Sequence, residues 1–394
     1  MSEVEFRKVQ GEELLETSLR LEAIAYPATP PSRQDQQDQR RQLALADQNV
    51  NLVGFVDGVP RVSGAIVPFS QNVRGAIVSM GGPAGVAVHP NVRRRGLGRA
   101  LVERMLRTMR DAGQSVSALY PFRESFYQRL GWALGPKPRV VTFSPLDLAP
   151  LLRAPLDGDA ELVEWADGQE ERVAFLATLQ RSAHGMAVRP PGHLLRPGAW
   201  LTFARSGGET VGLMGWRLDR WQGSITASTF LARSAEGRLL LWRSLALLAD
   251  QAKEATIVLG PGELPETWLA DVELQVRSRW EQFGSRDAMF RVVSVDGLDG
   301  IGAGPGQFRA RIVDPLAPWN EGGWRFTGSD GRLRIEHDAE ADEPLTIEGL
   351  SGLVWCGQDP ALFRARGWGS PSDGMQEAMR RMFPPALPYL YETF

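Results

Sequence analysis

The chain has 394 residues, which is too long for one ordinary core and predicts two or three domains. Lys+Arg number 44 against 47 Asp+Glu, and the resulting net charge of -3 argues against a general nucleic-acid binder. A single cysteine, Cys356, excludes an intramolecular disulfide. The four histidines show no metal-ligand spacing, so no metal is expected. With no signal-peptide pattern and no apolar run of bilayer length, we expect a cytoplasmic protein without a membrane partner.

Strand and helix signals alternate through the first 150 residues, which predicts an α/β unit. The predicted strands are Val4–Val9, Asn51–Val56, Arg61–Val67, Ala76–Met80, Gly85–Val88, Val116–Tyr120 and Val140–Phe143. The predicted helices are Glu12–Ala25, Gly96–Ala112 and Glu124–Leu130. A polar, Pro-rich loop is predicted at Tyr26–Gln39.

The remaining chain predicts two further α+β regions after a linker at Pro145–Pro155. The second region contains a strand pair, Thr210–Leu218 and Ser224–Leu231, and an apolar helix, Leu239–Ala252. The third begins with a strand at Met289–Val295 and ends with a helix at Met375–Met382 and a Pro-rich tail. We therefore predict an α+β protein with domains at 1–150, 151–286 and 287–394.

One stretch, residues 86–101, carries the pattern of a phosphate site. The predicted strand ending at Val88 is followed by Arg93-Arg94-Arg95-Gly96-Leu97-Gly98-Arg99, where a helix begins. The first N–H groups of a helix have no intrahelical acceptor, and together with the helix dipole they attract anions. Glycines let a pyrophosphate approach the backbone, and arginines add charge-assisted contacts. An arginine run alone is usually a solvated turn, but the surrounding strand and helix favour the phosphate site.

This stretch resembles the acetyl-CoA pyrophosphate loop of the GNAT acetyltransferases, Arg-x-x-Gly-x-Gly, here Arg93-x-x-Gly96-x-Gly98. The resemblance implies acetyl-CoA as co-substrate. It implies that the preceding strand, through Val86, Ala87 and Val88, bonds the pantetheine arm. It further implies that the backbone amides of Arg94 to Arg99 hold the pyrophosphate.

The segment Ala118–Trp132 resembles the Eis-type (enhanced intracellular survival) branch of the GNAT superfamily, as does the total length of the chain. That resemblance implies tandem GNAT-like α/β domains with mixed, mostly antiparallel sheets, followed by a sterol carrier protein-like α+β domain. It also implies a homo-oligomer, a trimer or a hexamer. The second domain lacks an Arg-x-x-Gly-x-Gly loop and has Glu236 in the corresponding turn, so we expect it to bind no cofactor.

The resemblance also assigns two catalytic groups. Tyr127 lies at the position of the Eis-type catalytic tyrosine and is predicted to be the general acid, because a phenol stays protonated at neutral pH. The α-carboxylate of Phe394 is predicted to be the base. The alternatives are a tyrosine that only packs on the sheet, with Tyr120 as the rival acid, and an ordinary frayed terminus.

The leading functional hypothesis is acetyl transfer from acetyl-CoA to a primary amine of a cationic small molecule, similar to an aminoglycoside or a polyamine. Acetylation of protein lysines or N-termini is the alternative enzyme activity. A non-catalytic protein that binds acyl-CoA or a lipid is the alternative outside catalysis.

Overall fold

The computed structural model describes residues 4–25, 46–189, 199–278, 287–392 and 394; the predicted loop Tyr26–Gln39 and His193 lie outside them. The strands are β1 (Glu5–Val9), β2 (Val50–Val56), β3 (Val59–Val73), β4 (Ala76–Val88), β5 (Val116–Leu119), β6 (Ala133–Leu134), β7 (Arg139–Phe143), β8 (Asp159–Glu164), β9 (Ala187–Val188), β10 (Trp200–Ser206), β11 (Glu209–Leu218), β12 (Gly223–Ala232), β13 (Ala252–Leu259), β14 (Gln275–Arg277), β15 (Met289–Val292), β16 (Gly306–Val313), β17 (Gly322–Ser329), β18 (Arg332–His337) and β19 (Pro344–Thr346). The helices are α1 (Gly11–Leu14), which continues through a π-helical turn (Leu15–Leu19) into α2 (Arg20–Ala25), then α3 (Leu97–Asp111), α4 (Glu124–Gln128), α5 (Gln169–Gln180), α6 (Ala235–Ala246), α7 (Ile347–Cys356), α8 (Phe363–Arg366) and α9 (Asp373–Met382).

The first sheet has the strand order β1-β2-β3-β4-β5-β15-β6. Its neighbours run antiparallel except β4 and β5, which are parallel. The sequence predicts two strands where the structure has the single strand β4, because Gly81-Gly82-Pro83 interrupts the strand pattern. Pairing with β3 continues through these residues, at Val67–Gly82 and Ile66–Pro83, so tertiary pairing overrides weak local propensity.

The position of β15 corrects the prediction that this strand opens the last domain. Met289 pairs with Leu119 of β5 and with Leu134 of β6, so the strand completes the first sheet. Met289, Phe290 and Val292 are all buried. A strand that is apolar on both faces belongs in the interior of a sheet, between two other strands.

Helices cover both faces of this sheet. On α3, buried residues recur at intervals of four, as at Leu101, Met105 and Met109, and they share a core with Val62 and Ile66 of β3. On the opposite face, Leu14 of α1 packs with Val53 and Phe55 of β2. Because successive strand residues point to opposite faces, Leu52 belongs to the core on the α3 face while its neighbour Val53 faces α1.

A second sheet of the same compact unit has the order β18-β17-β16-β19. Phe308 and Phe326 stack across β16 and β17 with their ring centroids 4.7 Å apart. A fully buried ion pair joins β15 to the end of β16: Arg291 donates to both carboxylate oxygens of Asp314, at 2.8 and 3.0 Å. The side chain of Asn320 also donates to Asp314. This network satisfies a carboxylate that would otherwise be buried without partners.

The other compact unit is built on the sheet β14-β7-β13-β12-β11-β10-β8. Its strands β12 and β13 are parallel, and α6 begins shortly after β12. The predicted turn that contains Glu236 is in fact the start of this helix, because the side chain of Ser234 accepts from the backbone N–H of Gly237 and caps the helix. The segment Leu387–Tyr391 belongs to this unit, where the hydroxyls of Tyr391 and Thr229 are 3.0 Å apart.

The compact units differ from the predicted consecutive segments 1–150, 151–286 and 287–394. One unit comprises residues 1–135, 288–386 and 392–394, and the other comprises 136–287 and 387–391. The predicted strand Val140–Phe143 exists as β7, but it pairs with β13 and β14 and thus belongs to the second unit. Strand pairing is non-local, so a boundary drawn from composition alone does not locate it.

The sequence has no apolar run of bilayer length, and it has a single cysteine. In the described part of the chain, no helix is both long and apolar enough to cross a membrane. Burial raises the pKa of the Cys356 thiol to about 12, so the thiol stays protonated at neutral pH.

We expect Asp314→Asn to lower the free energy of unfolding by about 3–5 kcal/mol, because it leaves the Arg291 guanidinium buried without a counter-charge. Urea unfolding of the full-length chain, followed by tryptophan fluorescence, measures this change. Glu377→Gln is the matched control: it breaks the exposed Arg381–Glu377 pair and should cost less than about 1 kcal/mol. A cost for Asp314→Asn as small as that of the control would contradict a structural role for the buried pair.

Candidate active site

The candidate active site lies where strands β4 and β5 separate. The two parallel strands pair at Met80–Val116 and Gly81–Ser117, and their described pairing ends there. Beyond Gly81, β3 is the only strand that pairs with β4 among the residues that the structure describes, so the other edge of β4 is not paired there. An edge of this kind offers backbone N–H and C=O groups to an extended ligand.

A β-bulge lies on the released part of β4. Between the pairs Ala65–Ala84 and Ser63–Ala87, β3 has one residue and β4 has two, Gly85 and Val86. Gly85 has φ +57, a left-handed conformation that glycine adopts without strain. The bulge changes the direction of β4 at the residues that are predicted to hold the pantetheine arm. Of these, Val86 and Ala87 are buried and Val88 is half-buried.

The loop after β4 is held by its own backbone. Residues Pro90–Val92 form a 3-10 turn, and the Nε of Arg93 donates to the carbonyl of Val88 at 3.2 Å. Arg94 and Gly96 have φ +63 and +82, which turn the chain sharply into α3. The side chains of Arg93, Arg94 and Arg95 are exposed, as an anion site requires.

The first turn of α3 presents unsatisfied donors. Its first helical hydrogen bond runs from the N–H of Ala100 to the carbonyl of Gly96, at 3.0 Å, so the N–H groups of Leu97, Gly98 and Arg99 precede any i−4 acceptor. An ideal Cβ at Gly96 would meet no atom within 4 Å, so the approach to these amides is open. The structure thus brings the predicted phosphate-binding residues together at one helix N-terminus, where unsatisfied amides attract anions.

The predicted general acid lies beside this helix start. Tyr127 is only 3% exposed, and its ring contacts Phe126 and Trp132 edge-on, with centroids 5.0 and 5.9 Å away. Phe126 in turn lies 3.5 Å from the position of a Cβ on Gly98. The aromatic contacts fix the position of the tyrosine on α4 close to the start of α3.

The C-terminal residue lies at the opening between β4 and β5. The ring of Phe394 packs against Phe69 of β3 and against Tyr120, with centroids 4.7 and 5.7 Å apart. It also covers Gly82, where an added Cβ would be 2.5 Å from the ring. The hydroxyl of Tyr120 donates to the backbone carbonyl of Glu392 at 3.2 Å. The terminal ring is therefore docked on the first sheet and is not frayed.

Two acidic residues differ from what the sequence suggests. Glu392 is only 8% exposed, although a glutamate near the end of a chain is ordinarily solvated. Glu22 of α2 does not stand out in the sequence, but its carboxyl lies against Gly85 of the bulge, and burial raises its pKa to about 7. A signal for this burial exists in the sequence. Glu22 follows Ser18 by four residues and Leu14 by eight, and this helical spacing places it on the same side of the helix as these two buried residues.

A metal centre is not part of the described site. Among residues 4–25, 46–189, 199–278, 287–392 and 394, no three His, Cys, Asp or Glu side chains are grouped as a metal ion requires.

Comparisons with known proteins concern the domain that contains this site. Residues 5–135 match the family model of the acetyltransferase (GNAT) domain. An uncharacterized N-acetyltransferase from Streptomyces coelicolor is 27% identical over 322 residues, which is 74% of this chain and 73% of the relative.

Two solved structures share the fold over their whole length. A GCN5-related N-acetyltransferase from Anabaena variabilis superposes with a TM-score of 0.85 at 16% identity, covering 100% of both chains. An Eis protein from Mycobacterium abscessus superposes with a TM-score of 0.77 at 19% identity, again covering 100% of both chains. Residues 5–135 thus form a GNAT acetyltransferase domain, and the chain is an acyltransferase of the N-acetyltransferase type.

We expect Gly96→Ala to weaken acetyl-CoA binding by at least about 10-fold, because its methyl group enters the open space in front of the α3 amides. Isothermal titration calorimetry with acetyl-CoA measures the change. Gly113→Ala is the matched control: Gly113 follows the same helix with φ +70, and it too has no atom within 4 Å of an added Cβ. Both variants should lose similar stability, about 1 kcal/mol, through left-handed strain. Equal affinities in the two variants would contradict the assigned anion site.

Proposed function

We propose that this GNAT-type enzyme transfers the acetyl group of acetyl-CoA to a primary amine of a cationic small molecule, similar to an aminoglycoside or a polyamine. The observation that carries the proposal is the position of Phe394, whose ring covers Gly82 where β4 and β5 separate. As the last residue of the sequence, Phe394 would bring its α-carboxylate near that opening. A negatively charged group beside the reacting strand suits a cationic acceptor.

The residues present fit acetyl-CoA. The arginines at 93–95 and the amides of Arg94 to Arg99 would hold the pyrophosphate, and the released edge of β4 at Val86, Ala87 and Val88 would bond the pantetheine arm. When bound, the co-substrate supplies an acetyl thioester. A backbone N–H near Val88 would stabilise the negative charge that develops on the thioester oxygen.

Two groups of the chain would move protons during the transfer. The buried hydroxyl of Tyr127 gives a proton to the departing thiolate, which a phenol can do because it remains protonated at neutral pH. The α-carboxylate of Phe394 takes a proton from the attacking nitrogen. Tyr120 has a different role. Its hydroxyl donates a hydrogen bond to the backbone carbonyl of Glu392 and so holds the end of the chain in place.

The whole-chain fold supports placing the enzyme in the Eis-type branch. In that assignment, the second sheet unit is a GNAT-like scaffold without cofactor and the region after residue 287 is a sterol carrier protein-like domain. The start of α6 fits the first part, because Ser234 caps it and Glu236 would repel a phosphate there. Assembly into a symmetric homo-oligomer, a trimer or a hexamer, is part of the same proposal.

A panel of aminoglycosides, polyamines and lysine peptides tests the acceptor, with release of the CoA thiol as the readout. Turnover of the small cationic amines in preference to peptides supports the proposal. Preference for the peptides would favour protein acetylation instead. Binding of acetyl-CoA without thiol release on any amine would favour a protein that only binds acyl-CoA or a lipid.

We expect Tyr127→Phe to lower kcat by about 100-fold, because the thiolate then leaves without its proton donor. Tyr120→Phe removes a hydroxyl of the same kind that is bonded to the chain terminus, and it should lower kcat less. If Tyr120→Phe proves the more damaging of the two, the assignment of the acid is wrong.

Extending the chain by four residues beyond Phe394 should lower kcat by at least about 10-fold, because the terminal carboxylate is moved away or replaced by a peptide group. The same four residues added before Met1 are the control and should leave kcat unchanged. Phe394→Leu keeps a terminal carboxylate and separates the effect of the charge from that of the ring. Full activity of the extended chain would remove the carboxylate from the mechanism.

A further inference from the structure

The side chain of Glu22 contacts the bulge of β4. An added Cβ on Gly85 would collide with the carboxyl oxygen Oε1 of Glu22, and the three nearest atoms to that position all belong to the Glu22 side chain. The carboxyl therefore rests directly on the backbone of the bulge, in space that the absence of a side chain leaves free. It is half-buried, so it keeps some access to the surroundings of the strand.

Glu22 lies on the same face of the first sheet as the terminal ring. A Cβ on Gly81 would point at Met109 of α3, whereas a Cβ on the next residue, Gly82, would point at Phe394. The ring of Phe394 is thus on the face opposite α3. The helix formed by α1 and α2 covers that same face, where Leu14 packs with Val53. Gly82 and Gly85 are three residues apart, about 10 Å along the strand.

No counter-charge neutralises this carboxylate within the described chain. Among the residues that the structure describes, none forms a hydrogen bond or an ion pair with Glu22. The facing strands add almost no charge: β4 has no ionisable side chain, and Arg61 is the one on β3. On its own helix, the nearest ionisable side chains are Glu16 and Arg20, and both are exposed. Loss of water is therefore the cause of its raised pKa of about 7.

Acetylation of a protonated amine requires two proton acceptors. An ammonium group loses one proton before its nitrogen has a lone pair, and the nitrogen loses a second when the C–N bond forms and the C–S bond breaks. The thiolate takes up one proton, so one is released overall. The proposed function assigns to the α-carboxylate of Phe394 the proton that the attacking nitrogen loses, and it assigns no group to the proton that the ammonium loses beforehand. One of these two protons restores Tyr127 after it has protonated the thiolate, and the other passes to water.

We propose that Glu22 binds the ammonium form of the acceptor and takes the first of these protons, before attack on the thioester. The proposal rests on the proposed amine acetylation and adds a catalytic residue to it. Its carboxylate is unpaired in the described chain, adjoins the bulge of the released strand, and shares a face with the terminal residue. A carboxylate with a pKa of about 7 accepts a proton from an amine more readily than an ordinary one does.

The test compares Glu22→Gln with the wild type across the pH range, using spermidine as acceptor and CoA thiol release as the readout. At pH ~7 we expect kcat/KM of Glu22→Gln to be about 30–100-fold lower, because the variant must wait for the rare unprotonated amine. Above pH ~9.5 the deficit should shrink to about 3-fold, since more of the amine is then unprotonated. Glu16→Gln, which changes an exposed acid of the same helical segment, is the matched control and should behave as the wild type.

A second readout does not depend on turnover. A carboxyl whose pKa is higher in the folded chain than in the unfolded chain destabilises the fold as pH rises through that interval, here from about 4.3 to about 7. Glu22→Gln should therefore melt about 2–6 °C above the wild type at pH ~8, with the difference shrinking as pH falls toward ~4.

The outcomes separate this inference from the proposed function. If the wild type releases no thiol with any amine, the proposed function fails whatever Glu22 does. If the wild type acetylates spermidine and Glu22→Gln shows the same pH profile, the inference fails alone. An equal loss of kcat/KM at all pH values would show that Glu22 only supports the bulge, and would overturn its role as proton acceptor.

Discussion

The insertion of β15 between β5 and β6 is the constraint on which the catalytic unit depends. This strand follows residues 136–287 of the second unit in the sequence, yet it supplies a central, fully buried strand of the first sheet. The ion pair of Arg291 with Asp314 ties the strand to the sheet that follows it. The sheet of residues 5–135 is therefore complete only when β15, from a distant part of the sequence, pairs with β5 and β6. For this reason the first compact unit combines residues from both ends of the chain.

The same return places the chain terminus. Because residues 288–386 and 392–394 belong to one unit with the first sheet, Phe394 can occupy the opening beside Gly82. The rings of Phe69 and Tyr120 and the bond from Tyr120 to the Glu392 carbonyl hold it there. Chain ends ordinarily fray in solvent, and these contacts hold this one on the sheet.

The two units share one backbone arrangement, a parallel strand pair that separates before a helix, but the helix begins differently in each. In each, a parallel pair of strands separates early: β4 from β5 after Gly81, and β12 from β13 after Ala227. After β4 the helix begins with open glycines and arginines, whereas after β12 it begins with a serine cap and a glutamate. In the second unit, Tyr391 reaches Thr229, two residues beyond the last strand pair. One geometry thus supports an anion site in one case and a packed scaffold in the other.

The sequence by itself determined the local parts of this protein. The amphipathic spacing of residues 97–111 and the glycines and arginines before them specify a helix with an anion site at its start, because helix formation and its unsatisfied amides are local properties. The tertiary structure alone decided the placement of β15, the continuity of β4 through Gly81-Gly82-Pro83, and the unit to which β7 belongs. These depend on pairing between distant strands, which local propensity does not encode. It also decided that Glu22 lies on the bulge and Glu392 is buried, since the burial of an acid is set by neighbours far away in sequence.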